Sequence, residues 1–356
     1  MENFTCFTRS SSFREWYVQR YRHLSLEVLP LPAVGAESLR KVGDSPHDLP
    51  VSEFGFLPAW MPAVFANPCP ALDPLILSFR ARSLDVMLLR NPWSDLHGGF
   101  GLMLHAHWPS LYQDLYGKHD DSQDVRPYIL RPLYSSCGPW QPGQEFAFEL
   151  VLIGPAARHA AACCEALAQL GVNGVTRERF RFAIESIESR NAAGNVQVWS
   201  PGAGWNVRAL LPTSLADLCR QPRPGNLFVM RSPLRLKADN DILRQAPDTG
   251  LLAARMLGRL KMLAELAGDV PPLPPQTARL LRDEAGALPP GRTQVSWMPL
   301  KRYAGGKVMD HGGLIGWLIL PAMSPELTTL FGLAEWLHLG SKTSFGLGWA
   351  VLETAR

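Results

Sequence analysis

Leu337-His338-Leu339-Gly340-Ser341-Lys342-Thr343-Ser344-Phe345-Gly346-Leu347-Gly348-Trp349 is the most informative stretch of the chain. Three glycines expose backbone N–H groups with no Cβ in the way, hydroxyl residues stand among them, and one lysine adds a cation. That is chemistry for a phosphate backbone. Gly340-Ser341-Lys342-Thr343 imitates the end of a nucleotide-binding P-loop, but the first glycine of that motif would fall at Glu335. A P-loop also joins a strand to the helix after it, whereas here a helical pattern precedes and a strand pattern follows. The plain alternative is a tight turn from helix to strand.

Working outward, residues 325–339 read as the helix before this loop and 348–353 as a terminal strand. Upstream lie a strand at 227–237, a long amphipathic helix at 249–268, a proline break at 271–275, and a hairpin of 294–303 with 307–320 around Ala304-Gly305-Gly306. The order is β-α-β-β-α-β. The same order occurs earlier. A strand at 75–89 meets the breaker Asn91-Pro92, and Ser94 or Asp95 caps a helix that runs through 99–108. Strands at 128–133 and 145–153, a helix at 156–170 stopped by Gly171, and a strand at 179–187 complete it, with a loop at 191–204. The expected fold class is α+β, with two tandem ferredoxin-like (RRM-like, βαββαβ) domains. They span 78–190 and 191–356, behind an N-terminal extension, 1–77. That extension is rich in proline clusters, only 21–29 alternates like a strand, and no function follows from it.

A loop of the form G-x-K-T-x-F-G-L-G closing such a double chain resembles the glycine-rich loop of the CRISPR repeat-associated RNA-binding (RAMP) superfamily, in particular its pre-crRNA processing endoribonucleases. Ser232-Pro233-Leu234-Arg235-Leu236-Lys237, Arg302-Tyr303, Gly312-Gly313-Leu314-Ile315-Gly316 and Phe148-Glu149-Leu150-Val151-Leu152-Ile153-Gly154 agree in the expected order. The resemblance covers roughly 78–356. It implies cleavage of CRISPR repeat RNA without metal or other cofactor, by attack of the ribose 2′-OH on the adjacent phosphate, leaving a 2′,3′-cyclic phosphate and a 5′-OH. It also implies retention of the repeat hairpin, and partners among the other subunits of a class 1 CRISPR effector complex. Such chemistry needs a group to take the 2′ proton, a donor to the leaving oxygen and a cation near the phosphorane; an imidazole suits either proton task.

The family often places that histidine on the first helix of the first domain, where F-G-x-x-L-H fits Phe100 to His105. His105 is the first catalytic candidate and His97, at the helix entry, the second. His107 lies about 200° around the helix from His105 and points elsewhere. Tyr112 and Lys118 are weaker candidates for positioning phosphate. Each histidine, read alone, is equally a plain surface or core residue. The resemblance assigns RNA binding to Lys342 with Gly340, Ser341, Thr343, Gly346 and Gly348. Arg235, Lys237, Lys301, Arg302 and Lys307 are basic residues that line a groove for the repeat stem, or else form a solvated charged hairpin. Trp297, Tyr303 and Trp317 stack on bases or are buried sheet aromatics.

Composition agrees with a folded chain. It has 356 residues, 46% of them hydrophobic and 19% charged, enough for two cores. No apolar run reaches the roughly 18 residues of a membrane span, and residues 1–23 have no apolar signal-peptide core, so the expectation is a cytoplasmic protein with no membrane partner. The 6 cysteines include no C-x-x-C pair and read as reduced thiols. The net charge is only +3, but residues 230–356 carry 15 basic against 11 acidic residues. Such local excess suits a protein gripping one structured RNA and poorly suits one that coats any strand. Two rival readings stay open. One is a catalytically inactive RAMP subunit that binds crRNA. The other is a general single-strand binder built as tandem RRMs, against which no aromatic-rich RNP-type strand is seen.

Overall fold

The computed structural model describes residues 70–354 apart from 90, 118–124, 134–138, 192–193, 221–224, 239–240, 270–271 and 305–306. The apolar run of β1 (Pro74–Ser83) is buried almost throughout because neighbours flank it on both edges. It pairs antiparallel with β3 (Glu145–Ile153) and with β4 (Phe182–Asn191), and β2 (Tyr128–Pro132) lies outside β3. The order β2-β3-β1-β4 is that of a ferredoxin-like sheet. One face is covered by α1 (Pro92–His107) and α3 (Ala160–Asn173), whose Leu96, Phe100, Leu104, Leu167 and Leu170 close the core over Phe79, Phe148 and Leu150. The short α2 (Pro109–Tyr116) restarts at Pro109.

The start of α1 differs from the expected cap. The Asn91 side chain accepts the Ser94 N–H at 3.1 Å, and Pro92 occupies the first helical turn, where its missing N–H costs nothing. Asn91-Pro92 therefore opens the helix. The loop expected at 191–204 is also replaced. β5 (Gly194–Ser200) pairs back on β4, and β6 (Gly204–Trp205) on β5, which extends the sheet to six strands. The open edge of β4 offers the backbone partners that a sequence pattern cannot display.

After α4 (Leu215–Arg220), the second half repeats the plan. Its sheet consists of β7 (Leu227–Leu234), β10 (Thr293–Met298), β13 (Gly313–Ile319) and β14 (Ala350–Glu353) in the order β10-β13-β7-β14. Two small ribbons project from it, β8 (Lys237–Ala238) with β9 (Asp241–Ile242), and β11 (Lys301–Ala304) with β12 (Lys307–Asp310). The long helix α5 (Thr249–Leu266) is capped by Asp248, which accepts the Leu251 N–H at 2.6 Å, and it buries Leu252, Met256, Leu260 and Leu263 at helical spacing. The proline break expected at 271–275 ends as the N-terminus of a further helix, α6 (Pro275–Ala287), with Pro275 in its first turn. α7 (Pro325–Gly332) and α8 (Ala334–Leu337) lead into the glycine-rich loop.

Two tandem ferredoxin-like domains are thus present, and both lie inside one unit spanning 60–356. Residues 1–69, including the strand expected at 21–29, lie outside the described residues, as do Lys118 and Cys137. Cys163, Cys164 and Cys219 are buried. Among the described residues, no helix is long and apolar enough to cross a membrane.

Candidate nucleic-acid interface

The glycine-rich loop turns back on itself through left-handed backbone at His338, Gly340, Lys342, Gly346 and Gly348. Gly348, at φ +76°, has Leu339 O where a Cβ would stand, only 1.8 Å away, and a Cβ on Gly346 would lie 2.6 Å from that of Arg131. Gly348→Ala is therefore expected to cost at least about 2 kcal/mol of stability, from the left-handed penalty plus the backbone clash. A thermal melt indistinguishable from wild type would refute this close fit.

Two buried anchors hold the loop against the first half. The first is polar. His338 donates Nδ1–H to Leu347 O at 2.9 Å and accepts at Nε2 from Arg131 Nη1 at 2.8 Å. Arg131, on β2 and wholly buried, forks onto Glu149 at 2.7 and 2.5 Å, donates to Glu335 O at 3.0 Å and lies 4.2 Å over the Trp349 ring. Burial alone would raise the Glu149 carboxyl, but Arg131 and Arg190 outweigh it and hold it below its usual range.

The second anchor is aromatic. Phe345 stacks on His97 with ring centres 3.6 Å apart. His97 Nε2 lies 2.8 Å from the Tyr128 hydroxyl and 3.4 Å from Arg126 Nη1. Since an arginine only donates, Nε2 is the acceptor and the ring proton sits on Nδ1, which is buried without a hydrogen-bond partner. Arg302 stands 5.1 Å from the Phe345 ring centre, and His311 meets that ring edge-on at 4.8 Å. Burial pushes Tyr128 up to about 12.

Burial, with nearby positive charges, holds both His97 and His338 well below the ordinary histidine value of 6.5. Both are neutral in the fold. Below about pH 6.5 the unfolded chain takes up protons that the folded chain excludes, so stability is present above that pH and drains away below it. The expected slope is up to about 1.4 kcal/mol per pH unit for each histidine. Urea unfolding at pH 7.5 and 5.5 checks this, and equal stabilities would sink it.

The remaining predicted residues fall into groups. His105 is exposed two turns beyond His97, about 12 Å along α1, and meets Tyr112 edge-on at 5.1 Å. His107 is exposed beside Trp108. Gly340, Ser341 and Lys342 are partly exposed, while Thr343, Gly346 and Gly348 are buried. Arg235 works within the fold, donating to Gly312 O at 2.7 Å, and its carbonyl accepts the Ser341 N–H at 2.9 Å. Lys237 and Lys301 are exposed, and the side chain of Lys307 lies outside the described part. Sequence reasoning missed Arg126, Tyr128, Arg131 and His311. A signal existed for one of them: Arg131 is a charge inside the apolar strand Tyr128-Ile129-Leu130-Arg131-Pro132, where only a paired charge survives burial.

Comparison with known proteins agrees with this architecture. Residues 78–211 match a family model described as an N-terminal domain, and residues 228–350 match that of the CRISPR-associated endoribonuclease Cas6. Among solved structures, the chain resembles a Cas6 product complex at TM-score 0.52 and 18% identity, over 79% of this chain and 99% of that one. It resembles Thermus thermophilus Cas6 at 0.51 and 18%, over 79% and 98%, and a partial Cas6-RT-Cas1–Cas2 complex at 0.54 and 14%, over 80% and 46%. At these identities the likeness is one of fold. No curated protein matches the sequence. The double ferredoxin-like fold and the glycine-rich loop agree with the match of residues 228–350 to the family model of a CRISPR-associated endoribonuclease. That match covers about a third of the chain, and the likeness to solved Cas6 structures extends the shared fold to the first half.

Proposed function

We propose that the chain cuts CRISPR repeat RNA in the absence of a metal ion, by attack of a ribose 2′-OH on the adjacent phosphate, and keeps hold of the repeat hairpin afterwards. In that step the O2′–P bond forms and the P–O5′ bond breaks. The 2′ proton passes to a base and the 5′ oxygen gains a proton, leaving a 2′,3′-cyclic phosphate and a 5′-OH. The observation that carries the reading is the meeting of the loop with α1. Phe345 lies on His97, so Arg302 and Lys342 of the second half stand near the helix that presents His105 to solvent. His105 is the group we assign to proton transfer. His97, being buried, is a positioning residue for the loop.

The proposed division is a proton-transferring first domain that starts at about 78 and a second, ending at 356, that carries the loop. We place the boundary expected after 190 beyond β6 instead, because β5 and β6 belong to the first sheet. Residues 1–77 are proposed as an extension of separate role. Proposed partners are the repeat RNA and other subunits of a class 1 CRISPR effector complex in the cytoplasm, in line with a solved assembly named Cas6-RT-Cas1–Cas2.

The test is incubation of the full chain with its cognate repeat RNA in EDTA, followed by end-group analysis. One cut with 5′-OH and cyclic phosphate ends is expected, and a metal requirement or 5′-phosphate ends would overturn the reading. The burial of His97, the α1 histidine that meets the loop, favours a second reading, a catalytically inactive RAMP subunit. That reading expects tight repeat binding and no product.

A further inference from the structure

Two guanidinium groups, one from each ferredoxin-like half, flank the stacked pair His97 and Phe345. Arg126, just ahead of β2, places Nη1 3.4 Å from His97 Nε2 and lies 4.5 Å over the Tyr116 ring. Arg302, on β11, lies 5.1 Å from the centre of Phe345, which is itself stacked on His97 at 3.6 Å. Both arginines are half-buried. Burial lowers the Arg302 pKa, and the charge of Arg126 lowers it further. His97 also senses His311 and Lys342. The floor beneath them is uncharged, since His97 is neutral and Tyr116 and Tyr128 are held protonated by burial.

Two features of this cluster select an anion. A guanidinium whose face rests on an aromatic ring keeps its N–H fork at the edge, the geometry that grips phosphate through two bonds. Gathering like charges across the seam between two domains also costs energy, which an anion between them offsets.

We propose that Arg126 and Arg302 together seat one phosphate of the RNA backbone, with Lys342 at the rim, so that a single phosphodiester bridges the two halves. This rests on the repeat-RNA reading above and adds a contact to it. The seat lies about 12 Å along α1 from His105, so the seated phosphate is a neighbour of the reacting one. Its role is register, setting how far the scissile bond lies from the part of the RNA held by the second half.

The test uses the full chain and cognate repeat RNA, with affinity measured across a salt series for wild type, Arg126→Gln, Arg302→Gln, the double variant and Arg126→Lys. Each Gln variant is expected to weaken binding about tenfold at low salt and to reduce the salt slope by about 1. The double variant is expected to lose no more slope than either single one, because both groups hold the same phosphate. Arg126→Lys keeps the charge and loses the fork, so its slope stays and its affinity falls. Arg126→Gln with wild-type affinity and slope overturns the seat, and so do single-variant losses that simply add in the double variant. Both results leave the functional reading standing. Wild-type chain that binds no repeat RNA overturns the functional reading, and the seat with it.

Discussion

His105→Ala is expected to slow single-turnover cleavage of repeat RNA about 100- to 10,000-fold, the usual worth of a positioned acid or base, while RNA affinity stays within a factor of a few. The argument is geometric. His105 is exposed on α1 and meets Tyr112 at 5.1 Å, so an RNA lying on the helix reaches its ring directly. His97 on the same helix is 2% exposed and its Nε2 is already engaged by Tyr128. His97→Ala is instead expected to loosen the loop, weakening binding and lowering the melting temperature together. The split between rate and affinity separates the two roles. Full cleavage by His105→Ala sinks the assignment. A panel in which each of the other histidines is changed to alanine would then show which imidazole, if any, carries the proton.

Arg131→Ala is expected to be the most destabilising single change in the described part. It leaves Glu149 as a buried carboxylate and removes a donor from His338, with side-chain exposures of 0% for Arg131 and 4% for Glu149. Breaking a buried pair from one side costs about 3–5 kcal/mol, a fall in melting temperature on the order of 10 °C for a chain of this size. Because His338 and Gly346 both lean on Arg131, affinity for repeat RNA falls too. Arg131→Met combined with Glu149→Leu is expected to recover much of the stability, since an apolar pair of similar volume replaces the ions at little cost. A melt of Arg131→Ala within 2 °C or so of wild type would show that the network carries less than this.

Much of the fold was legible. The β-α-β-β-α-β order is written twice in hydrophobic periodicity, and α5 with Leu252, Met256, Leu260 and Leu263 on one face lies where its pattern placed it. The loop was legible because glycine, lysine and hydroxyl residues carry local backbone requirements that no distant contact alters. The failures were local as well. Asn91-Pro92 and Pro274-Pro275 read as stops and serve as starts, because proline excludes the interior of a helix and suits its first turn. The strands β5 and β6 were read as loop, since pairing with a neighbouring edge rather than an intrinsic pattern makes them strands.

The sequence by itself determined the doubled β-α-β-β-α-β order and the glycine-rich loop, because each is set by side chains acting within a turn or two of the backbone. Only the tertiary structure decided what that loop touches. Arg131 and His338 are 207 residues apart, and Arg126, His97, Arg302 and Phe345 come from four separate segments. No spacing rule links such positions. Burial then decided their chemistry: desolvation makes His97 and His338 neutral supports for the loop, while His105 stays exposed to solvent.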